Sequence, residues 1–238
     1  MLLSSGLTTP ALEERFRRML GDAAAGAPPS VTMVVTGQMA PSNETPEPGR
    51  KPRSAGELRR RRWADARKKG RLLGEQLGIE VKCVDCARTQ GDELAKEVGD
   101  AHCLWVTGGN TFFLWQHMRA SGLDALIRRR LAAGALYVGC SAGAIVAGQS
   151  VSTALWKGWD DPGAAAETDW SDPANLQGLA LVQDCSFFPH YDAEWAALVE
   201  RERGALGHTV VCLEDLGEAY PPDAAAAGAA PTEAADAA

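Results

Sequence analysis

Several common features are missing from this sequence, and each absence narrows what the chain can be. Met1-Leu2-Leu3-Ser4-Ser5-Gly6 has no basic n-region and too short an apolar run for a signal peptide. No uninterrupted apolar stretch reads as a membrane span. The longest charge-free segment lies between Arg130 and Lys157, but Gly134, Gly139, Gly143 and Gly148 break it. Ser141, Gln149, Ser150, Ser152 and Thr153 make its second half polar. A buried strand-turn-helix fits that pattern better than a lipid-facing helix. There is no internal repeat. Excess positive charge is also lacking: the net charge is −7, which argues against a dedicated nucleic-acid protein.

Metal-binding and disulfide frameworks are equally absent. The six cysteines, at 83, 86, 103, 140, 185 and 212, are scattered. Cys83-Val84-Asp85-Cys86 is a single C-x-x-C; His102 and Cys103 could join it, but no second C-x-x-C or H-x₃-H supports a zinc site. Free thiols in a reducing cytoplasm are the expectation, with no metal. Histidine is scarce, with four residues, so any imidazole base must be one of four.

What is present is the make-up of a soluble globular protein: 45% hydrophobic and 23% charged residues in 238. That length suits one three-layer domain, expected over residues 1–220. Residues 221–238 hold ten alanines and no large apolar side chain, so a disordered or frayed tail is expected. Short apolar strands alternate with longer amphipathic helices, the pattern of an α/β fold with a mostly parallel sheet covered on both faces. Strands are expected at residues 1–5, 31–35, 79–84, 103–107, 136–139 and 209–213. Thr8 or Thr9 can cap a helix over residues 10–20 that opens on Pro10. Residues 37–54, rich in Pro, Ser, Gly and charge, read as a long loop.

Residues 50–71 carry eleven Lys/Arg against two Asp/Glu. Either this is a nucleic-acid patch or it is the solvated face of a helix. Trp63, Ala66, Gly70, Leu73 and Leu77 fall at helical spacing and would face the sheet, leaving the arginines outside. No nucleic-acid partner is expected, because the rest of the chain is acidic.

The chemistry points to Ser141. Leu136-Tyr137-Val138 is a short apolar strand, Gly139-Cys140-Ser141-Ala142-Gly143 follows, and Ala144-Ile145-Val146-Ala147 opens a helix. Strand, G-x-S-x-G and helix are the context of a nucleophile elbow. The alternative is a tight turn that merely needs small residues. Cys140 sits one place before the apex, where its side chain would point elsewhere. The Ala142 N–H would begin the helix and could hold an oxyanion. Upstream, the strand Leu104-Trp105-Val106-Thr107 leads into Gly108-Gly109-Asn110-Thr111. This turn lacks the Lys of a P-loop and the G-x-G-x-x-G spacing, which leaves the Gly109 N–H as a second oxyanion donor. A serine hydroxyl needs a base. His102 precedes a buried strand, His117 lies in a helix and His208 precedes the last strand. His190 follows Phe187-Phe188-Pro189 on a loop beside the sheet, and is the best placed.

Together these segments resemble the peptidase E (α-aspartyl dipeptidase) family, with cyanophycinase as a wider relative. The residues that carry the resemblance are Ser4-Ser5-Gly6, residues 106–112, residues 134–144 and Pro189-His190-Tyr191. The resemblance implies a fold similar to class I glutamine amidotransferases and flavodoxin-like proteins. It also implies a Ser-His-acid site that cleaves short peptides beginning with aspartate, without cofactor. Ser141 maps to the nucleophile and His190 to the base. Asp160 in Asp160-Asp161-Pro162 maps to the acid, with Asp161 as fallback, and Gly109 to an oxyanion donor. Asn110 and Arg201 map to substrate binding, Arg201 as a fork for the aspartate carboxylate. Three alternatives stay open: an isoaspartyl or cyanophycin-type peptide, a small amide or ester, or an inactive member that acts as a binding protein. A monomer or homodimer is expected, with no membrane partner. The chain departs from the family in three ways. The loop over residues 40–54 is longer than usual. Residues 156–175, with Trp156, Trp159 and Trp170, form an acidic segment that disfavours an aspartyl side chain unless a basic group answers it. Relatives continue into further strands after Leu213-Glu214-Asp215, so the edge there is expected to be incomplete or to need a partner.

Overall fold

Cys103 and Trp105 pack into one hydrophobic core, and Leu104 and Val106 into another. That alternation along one strand is the signature of a sheet buried on both faces. The computed structural model describes residues 1–41 and 54–221. Most of the expected long loop and all but residue 221 of the alanine-rich tail lie outside the described residues.

In chain order the elements are β1 (Leu2–Leu3), α1 (Pro10–Ala24), β2 (Ser30–Val34), α2 (Ala55–Leu77), β3 (Glu80–Val84), α3 (Gly91–Val98), β4 (Cys103–Val106), α4 (Thr111–Ser121) and α5 (Leu123–Ala132). There follow β5 (Leu136–Cys140), α6 (Ala142–Ala147), α7 (Thr153–Trp156), β6 (Cys185–Pro189), α8 (Ala196–Arg203) and β7 (Thr209–Leu213). Five strands form a parallel sheet in the order β1-β5-β4-β2-β3. This is the expected α/β/α architecture. β6 and β7 pair with each other, in parallel, rather than within that sheet. Residues 1–5 were expected as a strand; only Leu2–Leu3 pair, because Ser4 and Ser5 turn away to meet other partners.

The helices follow from local chemistry. Thr9 caps α1 by accepting from the Leu12 N–H at 3.3 Å, with Pro10 in the first turn. Leu12, Phe16 and Leu20 bury one face of α1, and Phe16 meets Trp105 edge-on at 5.1 Å. Ser54 and Glu57 close a capping box at the start of α2. Ala66, Gly70 and Leu77 are buried, and Trp63 and Leu73 pack against the same core. The helix therefore presents its apolar stripe to the sheet, and Arg60, Arg61, Arg67, Lys68, Lys69 and Arg71 are exposed. On the opposite face, α3, α4, α5 and α6 cover the sheet through Leu94, Leu114, Met118, Ile127 and Val146. Cys83 and Cys86 belong to different cores. Among the described residues no helix is long and apolar enough to cross a membrane.

Candidate active site

The carboxyl end of the parallel sheet gathers the candidate residues. Ser141 joins β5 directly to α6 with φ 52° and ψ −116°, a strained conformation for a residue with a Cβ. The Ser141 N–H donates to the Leu3 carbonyl at 3.1 Å, which anchors the apex to the neighbouring strand. A Cβ on Gly143 would lie 2.1 Å from the Val106 carbonyl oxygen, so only glycine lets the first turn of α6 sit against β4. Cys140 points into the core, 4% exposed, and burial pushes its thiol up to about 12. It is the wrong side chain, in the wrong protonation state, to attack from this turn.

The Gly108-Gly109 turn lies against the elbow. A Cβ on Gly108 would stand 3.0 Å from the Ser141 Cβ, and one on Gly109 would stand 2.1 Å from the Gly37 carbonyl carbon. Gly109 has φ 122°, a conformation that glycine adopts freely. The turn is thus wedged between Ser141 and the 3-10 turn Thr36–Met39. Asn110 caps α4: its Oδ1 accepts from the Phe113 N–H at 2.8 Å and its Nδ2 donates to the Asp161 carbonyl at 2.9 Å. Both ends of this carboxamide are therefore committed to scaffold bonds. The carboxamide holds the turn to residues 160–161.

His190 follows β6 with φ 55°. Its Nε2 is 2.9 Å from the Ser141 Oγ, and its Nδ1 is 2.6 Å from Asp215 Oδ1. Asp215 follows β7. Its Oδ1 also accepts from the Ser4 Oγ at 2.7 Å and the Ser5 Oγ at 2.6 Å. Ser4 in turn accepts from the His190 N–H at 2.7 Å, and the Tyr191 N–H donates to the Leu213 carbonyl at 3.0 Å. These bonds tie the imidazole loop to the ends of β1 and β7. Burial opposes ionisation of Asp215, but the hydrogen bonds from Ser5, Ser4 and His190 outweigh it and hold the carboxyl down at about 2. With an ionised acceptor on Nδ1, that nitrogen carries the proton and Nε2 presents its lone pair to Ser141.

Asp160, the expected acid, is not hydrogen-bonded to His190. Its Oδ2 accepts from the Thr111 N–H at 3.2 Å, which directs the carboxylate to the start of α4. Burial raises its pKa, against the hydrogen bonding from Thr111. Asp161, the fallback, is exposed and caps the short turn Pro162–Ala165 through Gly163. Arg201 stands on α8, 67% exposed at its side chain, paired with Glu202 at 2.9 Å, and does not line the cavity beside Ser141. That cavity, of about 180 Å³, is bordered by Gly109, Ser141, Ile145, Lys157, Trp159, Asp160 and His190. Sequence reasoning missed Asp215, Ser4, Ser5 and Lys157 as site residues. The three-residue cluster around Asp215 joins positions about two hundred apart in the chain, with no local motif; the Ser4-Ser5 pair beside a strand end was the one available signal.

Residues 56–209 match peptidase family S51. An uncharacterized peptidase of Listeria innocua is 37% identical over 123 residues, 52% of this chain and 55% of the relative. Peptidase E of Shewanella sp. strain W3-18-1 is 41% identical over 64 residues, 27% of each chain. The chain thus spans about half the length of the first of these curated relatives, and less of the second. The crystal structure of a peptidase from an acI-B1 actinobacterium superposes with a TM-score of 0.57 at 20% identity, over 83% of this chain and 73% of that one, a likeness of fold. The family match covers well over half of the chain, and the chain belongs to peptidase family S51.

Proposed function

We propose that this protein is a serine peptidase that removes the first residue of short peptides, with dipeptides beginning in aspartate as its preferred substrates. The observation that carries this reading is the continuous row from Ser141 Oγ through His190 to Asp215 Oδ1, at 2.9 and 2.6 Å. Such a row supplies a nucleophile, a base and an orienting acid. His190 Nε2 takes the proton of the Ser141 hydroxyl as its oxygen adds to the scissile carbonyl. Asp215 keeps the other ring proton on Nδ1 and stabilises the imidazolium. The oxyanion faces the N–H groups of Gly109 and Ala142; the latter is in the first turn of α6 and so has no acceptor within the helix. The imidazolium then protonates the leaving amine, the C–N bond breaks, and water releases the acyl group by the same steps in reverse order.

The aspartyl preference rests on two charges lining one small cavity. Asp160, with one oxygen on the Thr111 N–H, is placed to accept the free α-ammonium of a peptide. Lys157 brings positive charge to the border of the same cavity, which favours an acidic first side chain over a neutral or basic one. A volume of about 180 Å³ suits a single residue rather than a long chain, which favours an exopeptidase. The test is a panel of dipeptides. Wild-type protein is expected to hydrolyse α-Asp-Leu faster than β-Asp-Leu or Ala-Leu, and Ser141→Ala to hydrolyse none. Equal hydrolysis by wild type and Ser141→Ala would remove the assignment.

A further inference from the structure

We propose that Lys157 is a positioning residue for His190, and that the aromatic box around its ammonium is what holds the base in place. This rests on the serine-peptidase reading above and extends it to the device that fixes the base. The Lys157 Nζ donates to the Pro189 carbonyl at 3.0 Å and to the His190 carbonyl. Around the same ammonium stand Trp159 at 4.3 Å, Phe188 at 4.5 Å and Trp195 at 4.7 Å to the ring centroids, each within the range of a cation–π contact. Trp159 and Trp195 meet edge-on at 5.6 Å, and Trp159 stands 6.0 Å from the His190 ring. The rings come from the connection after α7, from β6 and from the turn before α8. One charge therefore gathers three segments around the base.

His190 needs such support. At φ 55° it occupies a region that a residue with a Cβ enters only when its surroundings over-determine it. Its two backbone groups are held by side chains from separate elements: Ser4 takes the N–H and Lys157 takes the carbonyl. Ser4 also reaches the ring, at 3.4 Å from Nδ1, whereas the hydrogen bonds of Lys157 go to backbone carbonyls, so Lys157 acts through the backbone it holds. A neutral side chain of equal size would fill the box but would offer neither the N–H bonds nor the charge that the rings and carbonyls attract.

The full chain is tested with a small uncharged fluorophosphonate, which reports Ser141–His190 reactivity and carries no carboxylate for Lys157 to recognise. Lys157→Ala is expected to lower the labelling rate by about tenfold to a hundredfold, the scale of a misplaced reacting group. n-Propylammonium replaces the deleted carbons and charge; at tens of millimolar it is expected to restore labelling several-fold, whereas n-propanol does not. Lys157→Met, which keeps the bulk, is expected to stay slow and serves where the alanine variant does not fold. Wild-type labelling rates in either folded variant would overturn the proposal, and so would a loss that propylammonium leaves untouched. Loss of dipeptide binding with unchanged labelling would also overturn it, since Lys157 would then read only the substrate. A wild type that never labels would sink the serine-peptidase reading instead. The clamp would then be judged on the His190 imidazole resonances: a shift in Lys157→Ala reversed by propylammonium supports it, and no shift overturns it.

Discussion

Asp215 meets His190 through an oxygen that two serines already share. Oδ1 accepts from His190 Nδ1, Ser4 Oγ and Ser5 Oγ at 2.6 to 2.7 Å. Asparagine can place its carbonyl oxygen at that point and still satisfy all three donors, but without charge. Asp215→Asn is therefore expected to keep the imidazole oriented and lose only the stabilisation of the imidazolium, lowering kcat by about a hundredfold. Asp215→Ala loses both and is expected to fall by about 10⁴-fold. Steady-state kinetics on the best dipeptide would distinguish them. Equal defects would show that orientation was already lost in the asparagine variant.

The same carboxyl makes stability depend on acid. Its pKa is depressed from 3.8 to about 2, so the folded state binds this proton less readily than the unfolded chain. The resulting stability is fully present above about pH 4 and is lost as pH falls toward 2. Denaturant melts across that window should show a steeper decline in wild type than in Asp215→Asn. Parallel declines would mean that the three hydrogen bonds do not survive in solution.

Asp160 carries the opposite sign. Burial raises its pKa above 3.8, so the folded state resists its ionisation and loses stability as pH rises through the shifted value. Asparagine keeps an oxygen for the Thr111 N–H and removes that cost. Asp160→Asn is expected to melt higher than wild type at pH 7, with the gap closing below pH 3.8. In the same variant, KM for dipeptides with a free amino terminus should rise by about tenfold or more, the loss of one charge-assisted hydrogen bond. A higher melting point with unchanged KM would remove the α-ammonium from this carboxylate.

Gly109 is the most sterically committed position of the site. A methyl group there would sit 2.1 Å from the Gly37 carbonyl carbon, on a backbone at φ 122°. Backbone must move, so Gly109→Ala is expected to cost about 3 kcal/mol of stability. The displaced turn borders Ser141, so phosphonate labelling should fall with it. Urea melts and labelling rates on the same preparation check both, and a wild-type midpoint would contradict the packing.

The strands and the elbow were legible because each announces itself locally. Cys103–Val106 is a continuous apolar run, and the small residues around Ser141 sit where a strand must pass into a helix. His190 was legible for a similar reason, as a histidine at the end of an apolar strand. The partner carboxylate was not. Asp160-Asp161-Pro162 looks like a motif, yet its local chemistry is spent on capping: Asp160 on Thr111 and Asp161 on Gly163. Asp215 follows an ordinary strand and gains its meaning from Ser4 and Ser5, across the fold. Arg201 failed as a substrate residue because its helix turns that side chain to solvent, where Glu202 takes it. Lys157 was hidden in an acidic, tryptophan-rich segment; one ring of that segment, Trp159, encloses its ammonium together with Phe188 and Trp195 from further along the chain.

The cluster of Ser4, Ser5 and Asp215 has a consequence for the growing polypeptide. A nascent chain that has exposed Ser141 and His190 still lacks the carboxylate that meets the His190 Nδ1. The row from Ser141 to Asp215 is completed only once residue 215 has cleared the ribosomal tunnel and settled against Ser4 and Ser5, made 211 and 210 residues earlier. The proposed site is therefore the last part of the fold to be assembled, by the order in which its pieces are made.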